Sequence, residues 1–191
     1  MVKLYESLYA SYHPQDTLGK NKNYVKDKAL SNSNEQVYYN KKKNKLLYTV
    51  AGTHNLSDVG TDLYLAAGKL KDTNRYKEAV NVLDQAKAKY KPSKIIGSGH
   101  SLGGSIVGYL PLDKKVTLDK GATIGQSISK NEKAYRTSGD AVSLMNSGSY
   151  NMTTLNNPNK QINVGNPLLN FSLNALQSHN VSNIKQSGLF V

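Results

Sequence analysis

Ser101 is the residue in this chain whose surroundings most clearly suggest covalent chemistry. It lies in Ile95-Ile96-Gly97-Ser98-Gly99-His100-Ser101-Leu102-Gly103-Gly104, where residues 99–103 fit the pattern G-x-S-x-G. Two β-branched residues precede the glycines, and Ser105-Ile106-Val107-Gly108-Tyr109-Leu110 can form a helix until Pro111 stops it. Strand, sharp turn and helix is the context of a nucleophile elbow. Such a turn strains the serine backbone, so a Cβ at position 99 or 103 would meet neighbouring main chain. In return the hydroxyl is held at a strand's C-terminal end, beside the first N–H groups of a helix.

A serine hydroxyl is a poor nucleophile at neutral pH and needs a base, which in turn needs an orienting acid. In the α/β-hydrolase architecture that uses this elbow, the order along the chain is Ser, Asp/Glu, His. Of His13, His54, His100 and His179, only His179 follows Ser101, and His100 is expected to project away from the hydroxyl. The acid must come from Asp113, Asp119, Glu132 or Asp140. Asp113 and Glu132 sit among lysines, as in surface turns, while Asp119 directly follows a strand candidate. Asp140 follows the next one through Gly139 and is favoured on sheet-edge geometry. Its competing reading is an Asx-turn in Ser138-Gly139-Asp140. An oxyanion hole would use the Leu102 N–H and a donor from an earlier strand-end loop, where Gly52-Thr53 stands. This chemistry calls for no metal and no cofactor.

The elements that must hold these groups are legible as periodicities. Leu4, Tyr5, Leu8, Tyr9 and Tyr12 recur at helical spacing, while residues 24–33 are polar and read as irregular. Gln36-Val37-Tyr38-Tyr39 and Leu46-Leu47-Tyr48-Thr49-Val50 flank a polar turn, which predicts a hairpin tipped by Lys41, Lys42 and Lys43. Residues 58–67 read as a helix capped by Ser57, and residues 75–90 as a longer one capped by Asn74 with Tyr76, Val80, Leu83, Ala86 and Tyr90 on one face. Residues 115–118 and 134–137 are strand candidates, residues 146–166 a loop or weak structure, and Pro167 opens a helix running toward His179. Strands alternating with helices imply an α/β fold: a mostly parallel sheet covered on both faces.

The chain's 191 residues are read as one domain, 1–191. With no cysteine, disulfides, zinc–thiolate sites and a cysteine nucleophile are excluded. No signal peptide or membrane span is visible, so the expected location is cytoplasmic or virion-associated. The formal net charge is +12, mostly scattered lysine without a nucleic-acid motif, which reads as a solvated surface. Nucleic acid is not an expected partner, whereas transient contact with an anionic membrane surface is.

Three segments resemble the class 3 lipases, the fungal triacylglycerol-lipase type of α/β-hydrolase. Residues 99–104 reproduce that family's G-H-S-L-G-G elbow. Thr49-Val50-Ala51-Gly52-Thr53 with Asp58 and Thr61-Asp62-Leu63 is similar to its R-G-T…D-W…D-L segment. Tyr135-Arg136-Thr137-Ser138-Gly139-Asp140-Ala141-Val142 resembles its F-R…N-x-D-x-V stretch, and Ser178-His179 falls at its final histidine. The resemblance implies Ser101, Asp140 and His179 as a triad, Thr53 and Leu102 as the oxyanion hole, and hydrolysis of a lipid or other acyl ester. It also implies a lid at residues 55–67, exposing Leu56, Val59, Leu63 and Leu65. Ala51 replaces the family's arginine, the H-G-F motif is missing, and Gly125-Gln126 matches F-G-x-P-R only faintly. The small size and the lysine/asparagine bias suit a compact viral member. The competing reading is a structural or virion-associated protein that retains the fold.

Overall fold

The computed structural model describes residues 1–54, 68–121, 125–146, 151–161 and 163–191. Its strands form one sheet of eight, ordered as they occur along the chain. They are β1 (Thr17–Leu18), β2 (Asn21–Lys26), β3 (Glu35–Asn40), β4 (Lys45–Val50), β5 (Lys94–His100), β6 (Lys114–Leu118), β7 (Glu132–Thr137) and β8 (Thr153–Leu155). The first four pair antiparallel, and from β4 onward every neighbour is parallel. The described helices are α1 (Leu4–Tyr12), α2 (Asn74–Tyr90), α3 (Leu102–Tyr109), α4 (Ala141–Leu144) and α5 (Pro167–Ser178). None is long and apolar enough to cross a membrane among the described residues.

Two apolar cores exist because the central strands are apolar on both sides, as parallel strands covered by helices must be. Along β4, Leu46, Tyr48 and Val50 enter one core with Leu83 and Ala86 of α2 and Ile106 and Val107 of α3. Leu47 points to the other core, with Leu4 and Leu8 of α1, Val116 and Leu118 of β6, and Ile184. The C-terminal tail pins α1 in place: Leu4 N–H donates to the Leu189 carbonyl at 2.8 Å, and Val191 N–H to that of Val2 at 3.1 Å. This matters for function because α1 forms one wall of the site.

The hairpin is formed as expected. Lys41–Lys43 make a single 3-10 turn at its tip, where the Asn40 side chain accepts from Lys43 N–H and all three lysines are exposed. Helix α2 begins one residue earlier than its sequence suggests, because the Thr73 hydroxyl accepts from Tyr76 N–H at 3.2 Å and takes the cap. Its buried stripe is Ala79, Val82, Leu83 and Ala86, with Tyr76, Val80 and Tyr90 at the margin. The small alanines let the helix approach the sheet, and the tyrosines cover the edges. Ala79 also accepts the buried Tyr48 hydroxyl on its carbonyl at 2.9 Å.

Other expectations need correction. Part of the polar stretch 24–33 belongs to β2, a mostly exposed strand that buries little beyond Tyr24, so no alternation marks it. The short strand β8 lies within 146–166, where exposed threonines and a single pairing partner gave no strand signal. Glu132 is not in a surface turn: it is buried at the start of β7, accepting from Lys120 Nζ at 3.0 Å and Thr117 Oγ1 at 2.9 Å. The helix expected at 58–67 and the lid expected at 55–67 lie outside the described residues.

Candidate active site

Ser101 occupies the turn between β5 and α3 with φ +56° and ψ −128°, a conformation that L-residues rarely adopt. Its N–H donates to the Leu118 carbonyl at 3.1 Å, which ties the turn to the end of β6. Both flanking glycines are sterically required: a Cβ on Gly99 would lie 2.3 Å from the Gly103 carbonyl oxygen, and one on Gly103 would lie 2.2 Å from that of Val50. Gly52, in the loop after β4, is equally tight, with an added Cβ 2.8 Å from Ser101 Cβ. The loop that carries Thr53 is therefore packed directly against the elbow. Leu102 is the first residue of α3, and its N–H opens the helix beside Ser101.

Asp140 and His179 meet from different elements. Asp140 follows β7 through Gly139, whose φ of +83° makes the turn, and caps α4 by accepting from Ser143 N–H at 2.8 Å. The Asx-type turn and the acid role are thus compatible: Oδ2 takes the cap, while Oδ1 sits 2.7 Å from Nδ1 of His179. His179 stands at the C-terminal end of α5, its N–H donating to the Ala175 carbonyl at 3.0 Å. Burial works to raise the Asp140 pKa, but the His179 bond and charge and the Ser143 bonds outweigh it and hold the carboxyl below its ordinary range. For His179 burial works to lower the pKa, and the bond to Asp140 with the charges of Asp140 and Asp119 raises it overall. Ser101 Oγ and His179 Nε2 are both buried and have no hydrogen-bond partner among the described residues. The two atoms that would exchange a proton are therefore not engaged elsewhere, as in sites whose catalytic bonds tighten around substrate.

Sequence reasoning missed three neighbours of this pair. His100 lines the cavity beside the pair, its ring centroid 4.7 Å from that of His179. Its Nδ1 lies 2.7 Å from the Tyr12 hydroxyl, which also accepts from Gly52 N–H at 2.9 Å. The Tyr12 hydroxyl thus bridges the His100 imidazole and the backbone of the Gly52 loop. Burial and the nearby His179 charge push the His100 pKa well down, so this imidazole is neutral. Tyr12 had registered only as one apolar position of α1. Arg75 of α2 donates to the Ala51 carbonyl at 2.9 Å, so a guanidinium braces the loop from outside where Ala51 itself has none to offer. It is one of only two arginines in the chain, a scarcity that could have drawn notice. Asp119, weighed above as an alternative acid, is fully buried near His179 and does not replace Asp140 as its hydrogen-bond partner.

Ser101, His179, Thr53, Tyr5, Tyr9 and Tyr12 are among the residues lining one cavity of about 310 Å³. Helix α1 presents the tyrosines at helical spacing, giving the cavity an aromatic wall with polar hydroxyls. His100, Asp119 and His179 bring one nitrogen or oxygen each within 4.8 Å of the others. Nδ1 of each imidazole is already engaged, by Tyr12 and by Asp140, and no metal is assigned to the cluster.

A mostly parallel sheet flanked by helices, with a strained serine at the turn from β5 into α3, is the architecture of an α/β-hydrolase fold. No protein-family profile matches the chain, and no curated protein sequence matches it either. By shape it is similar to Lip2 lipase from Yarrowia lipolytica, with TM-score 0.48 and 18% identity, over 73% of this chain and 70% of that one. It is also similar to a triacylglycerol lipase from Penicillium expansum, with TM-score 0.44 and 14% identity over 73% and 69% of the two chains. A mutant form of MDLA from Penicillium cyclopium gives TM-score 0.41 and 14% identity over 73% and 68%. The residues of the site, rather than these likenesses, carry the functional reading.

Proposed function

We propose that the protein is a serine hydrolase of carboxylic esters, of lipase or esterase type, acting through an acyl-enzyme on Ser101. The observation that carries this reading is that His179, hydrogen-bonded to the buried Asp140, lines the same cavity as the strained Ser101. Ser101 Oγ attacks the ester carbonyl carbon as His179 Nε2 takes its proton. Asp140 holds Nδ1–H and stabilises the imidazolium. The N–H groups of Leu102 and Thr53 receive the negative charge that develops on the carbonyl oxygen. His179 then protonates the departing alcohol, and water, activated by the same imidazole, releases the acid. A lipid ester is the substrate class in view. The net charge of +12 supports recruitment to anionic bilayers, since lysine-rich surfaces gather there.

A chain-length series of chromogenic esters, run with Ser101→Ala alongside, tests the reading. Turnover that depends on Ser101 is expected, and its optimum length separates an esterase from a lipase. Turnover unchanged in Ser101→Ala, or none at any chain length, counts against the assignment. Tyr12→Phe probes how the loop is held. It removes the acceptor of Gly52 N–H and the hydrogen-bond partner of His100 Nδ1 while keeping the ring. Activity is expected to fall about tenfold with little change in melting temperature, less than the loss of a direct oxyanion donor would cost. Wild-type activity in Tyr12→Phe would show that the bridge is dispensable.

A further inference from the structure

We propose that Asp119 is a positioning residue of the site: a second buried carboxylate that acts on His179 alongside Asp140 and stabilises the imidazolium formed when the base takes a proton. The inference rests on His179 being the base. Asp119 closes β6, the strand between β5, which leads into Ser101, and β7, which leads into Asp140. Its backbone has φ +46°, a left-handed conformation that glycine adopts more readily, yet a fully buried acid occupies it. The end of β7 grips both carboxylate oxygens: Thr137 N–H donates to Oδ1 at 2.5 Å and Thr137 Oγ1–H to Oδ2 at 2.9 Å. Within this grip an oxygen of Asp119 lies within 4.8 Å of a ring nitrogen of His179. A buried, doubly bonded acid in a strained backbone is costly for folding alone, and its electrostatic target is the imidazole that must become charged.

The titratable groups facing Asp119 are few and can be named by element. Asp140 comes from the turn before α4, His179 from the end of α5, His100 from β5 and Tyr12 from α1. Lys120 is adjacent in sequence, but its ammonium pairs with Glu132. Tyr12 and His100 are neutral, since burial raises the phenol and lowers the imidazole. Burial and the Asp140 charge push Asp119 up to about 7, against the opposing pull of His179 and the Thr137 bonds. Asp140 stays ionised between them, while Asp119 and His179 each bias the other's titration through their opposite charges. Loss of the Asp119 charge removes one of the forces that raise the His179 pKa, so the imidazole should lose its proton at lower pH.

The test follows the His179 ring by NMR across pH in wild type and Asp119→Asn, with kcat/KM for a soluble ester measured in parallel. Wild type is expected to show two inflections at His179, one of them from the coupled carboxylate. In Asp119→Asn a single inflection is expected, about one pH unit lower. The acid limb of kcat/KM should move with it, and the plateau should fall about tenfold, the same interaction read as a rate. If asparagine disrupts folding, Asp119→Gly deletes the carboxylate in a conformation that glycine favours. A single inflection in wild type, or an unmoved His179 titration in either folded variant, overturns the proposal and leaves Asp119 a structural residue. Absence of ester turnover in wild type instead defeats the hydrolase reading, and the NMR titration still reports on the Asp119–His179 coupling.

Discussion

Exchanging His179 for asparagine is expected to lower ester hydrolysis by about a million-fold, the loss typical when the base of a serine hydrolase is removed. Asparagine is the informative replacement. Its amide N–H can take the place of Nδ1–H toward Asp140 Oδ1, 2.7 Å away in the native pair, so the buried carboxylate keeps a donor. What disappears is Nε2, the buried and unengaged nitrogen that would receive the Ser101 proton. Groups that act as a unit do not add, so Ser101→Ala combined with His179→Asn should be no slower than either change alone. A folded His179→Asn protein retaining activity within about tenfold of wild type would remove His179 from the chemistry. Circular dichroism and a melting curve establish that the variant is folded.

Gly103→Ala should damage both fold and activity, and the reason is backbone geometry. The added methyl would lie 2.2 Å from the Val50 carbonyl oxygen and 2.6 Å from that of Ala51. Both are main-chain atoms of the strand and loop that carry Thr53, so no flexible side chain can yield. Relief requires α3 to move away from the end of β4, at a cost of about 3 kcal/mol. For a chain of this size that lowers the melting temperature by roughly 10 °C. The same movement separates the Thr53 loop from Ser101, so activity should fall even in the fraction that remains folded. Gly125→Ala is the control: its φ is +77°, but an added Cβ meets no atom of the described residues within 4 Å. It should lose only the conformational term, roughly 1 kcal/mol. Equal melting temperatures for the two variants would show that the elbow is not packed as described.

The contrast between these glycines indicates what could be read from the chain beforehand. Gly99 and Gly103 flank Ser101 in a short pattern, so their steric necessity was visible, as was the hairpin from the β-prone runs at residues 36–39 and 46–50 around a polar turn. His179 was singled out by chain order and Asp140 by its place after a strand, and the two hydrogen-bond in the structure. Other features depend on contacts distant in sequence, which no local pattern records. Tyr12 meets His100 and Gly52 across intervals of 88 and 40 residues, and Arg75 reaches Ala51 from 24 residues away. The surroundings of His100 were hidden for a related reason: its ring meets Tyr12 and the His179 ring, both distant in sequence. The strands β2 and β8 escaped notice because mostly exposed strands need not alternate. Glu132 looked like a surface residue because its partner Lys120, 12 residues away, becomes a buried ion pair only when the sheet forms.

The central claim is that Ser101 is an activated nucleophile, and covalent labelling tests it most directly. Incubation with a fluorophosphonate followed by intact-mass and peptide analysis should give one adduct, located on the peptide containing Ser101. That adduct should be absent from Ser101→Ala and strongly slowed in His179→Asn. An adduct that persists in Ser101→Ala, or a wild-type protein that stays unlabelled under conditions where it is folded, would contradict the account.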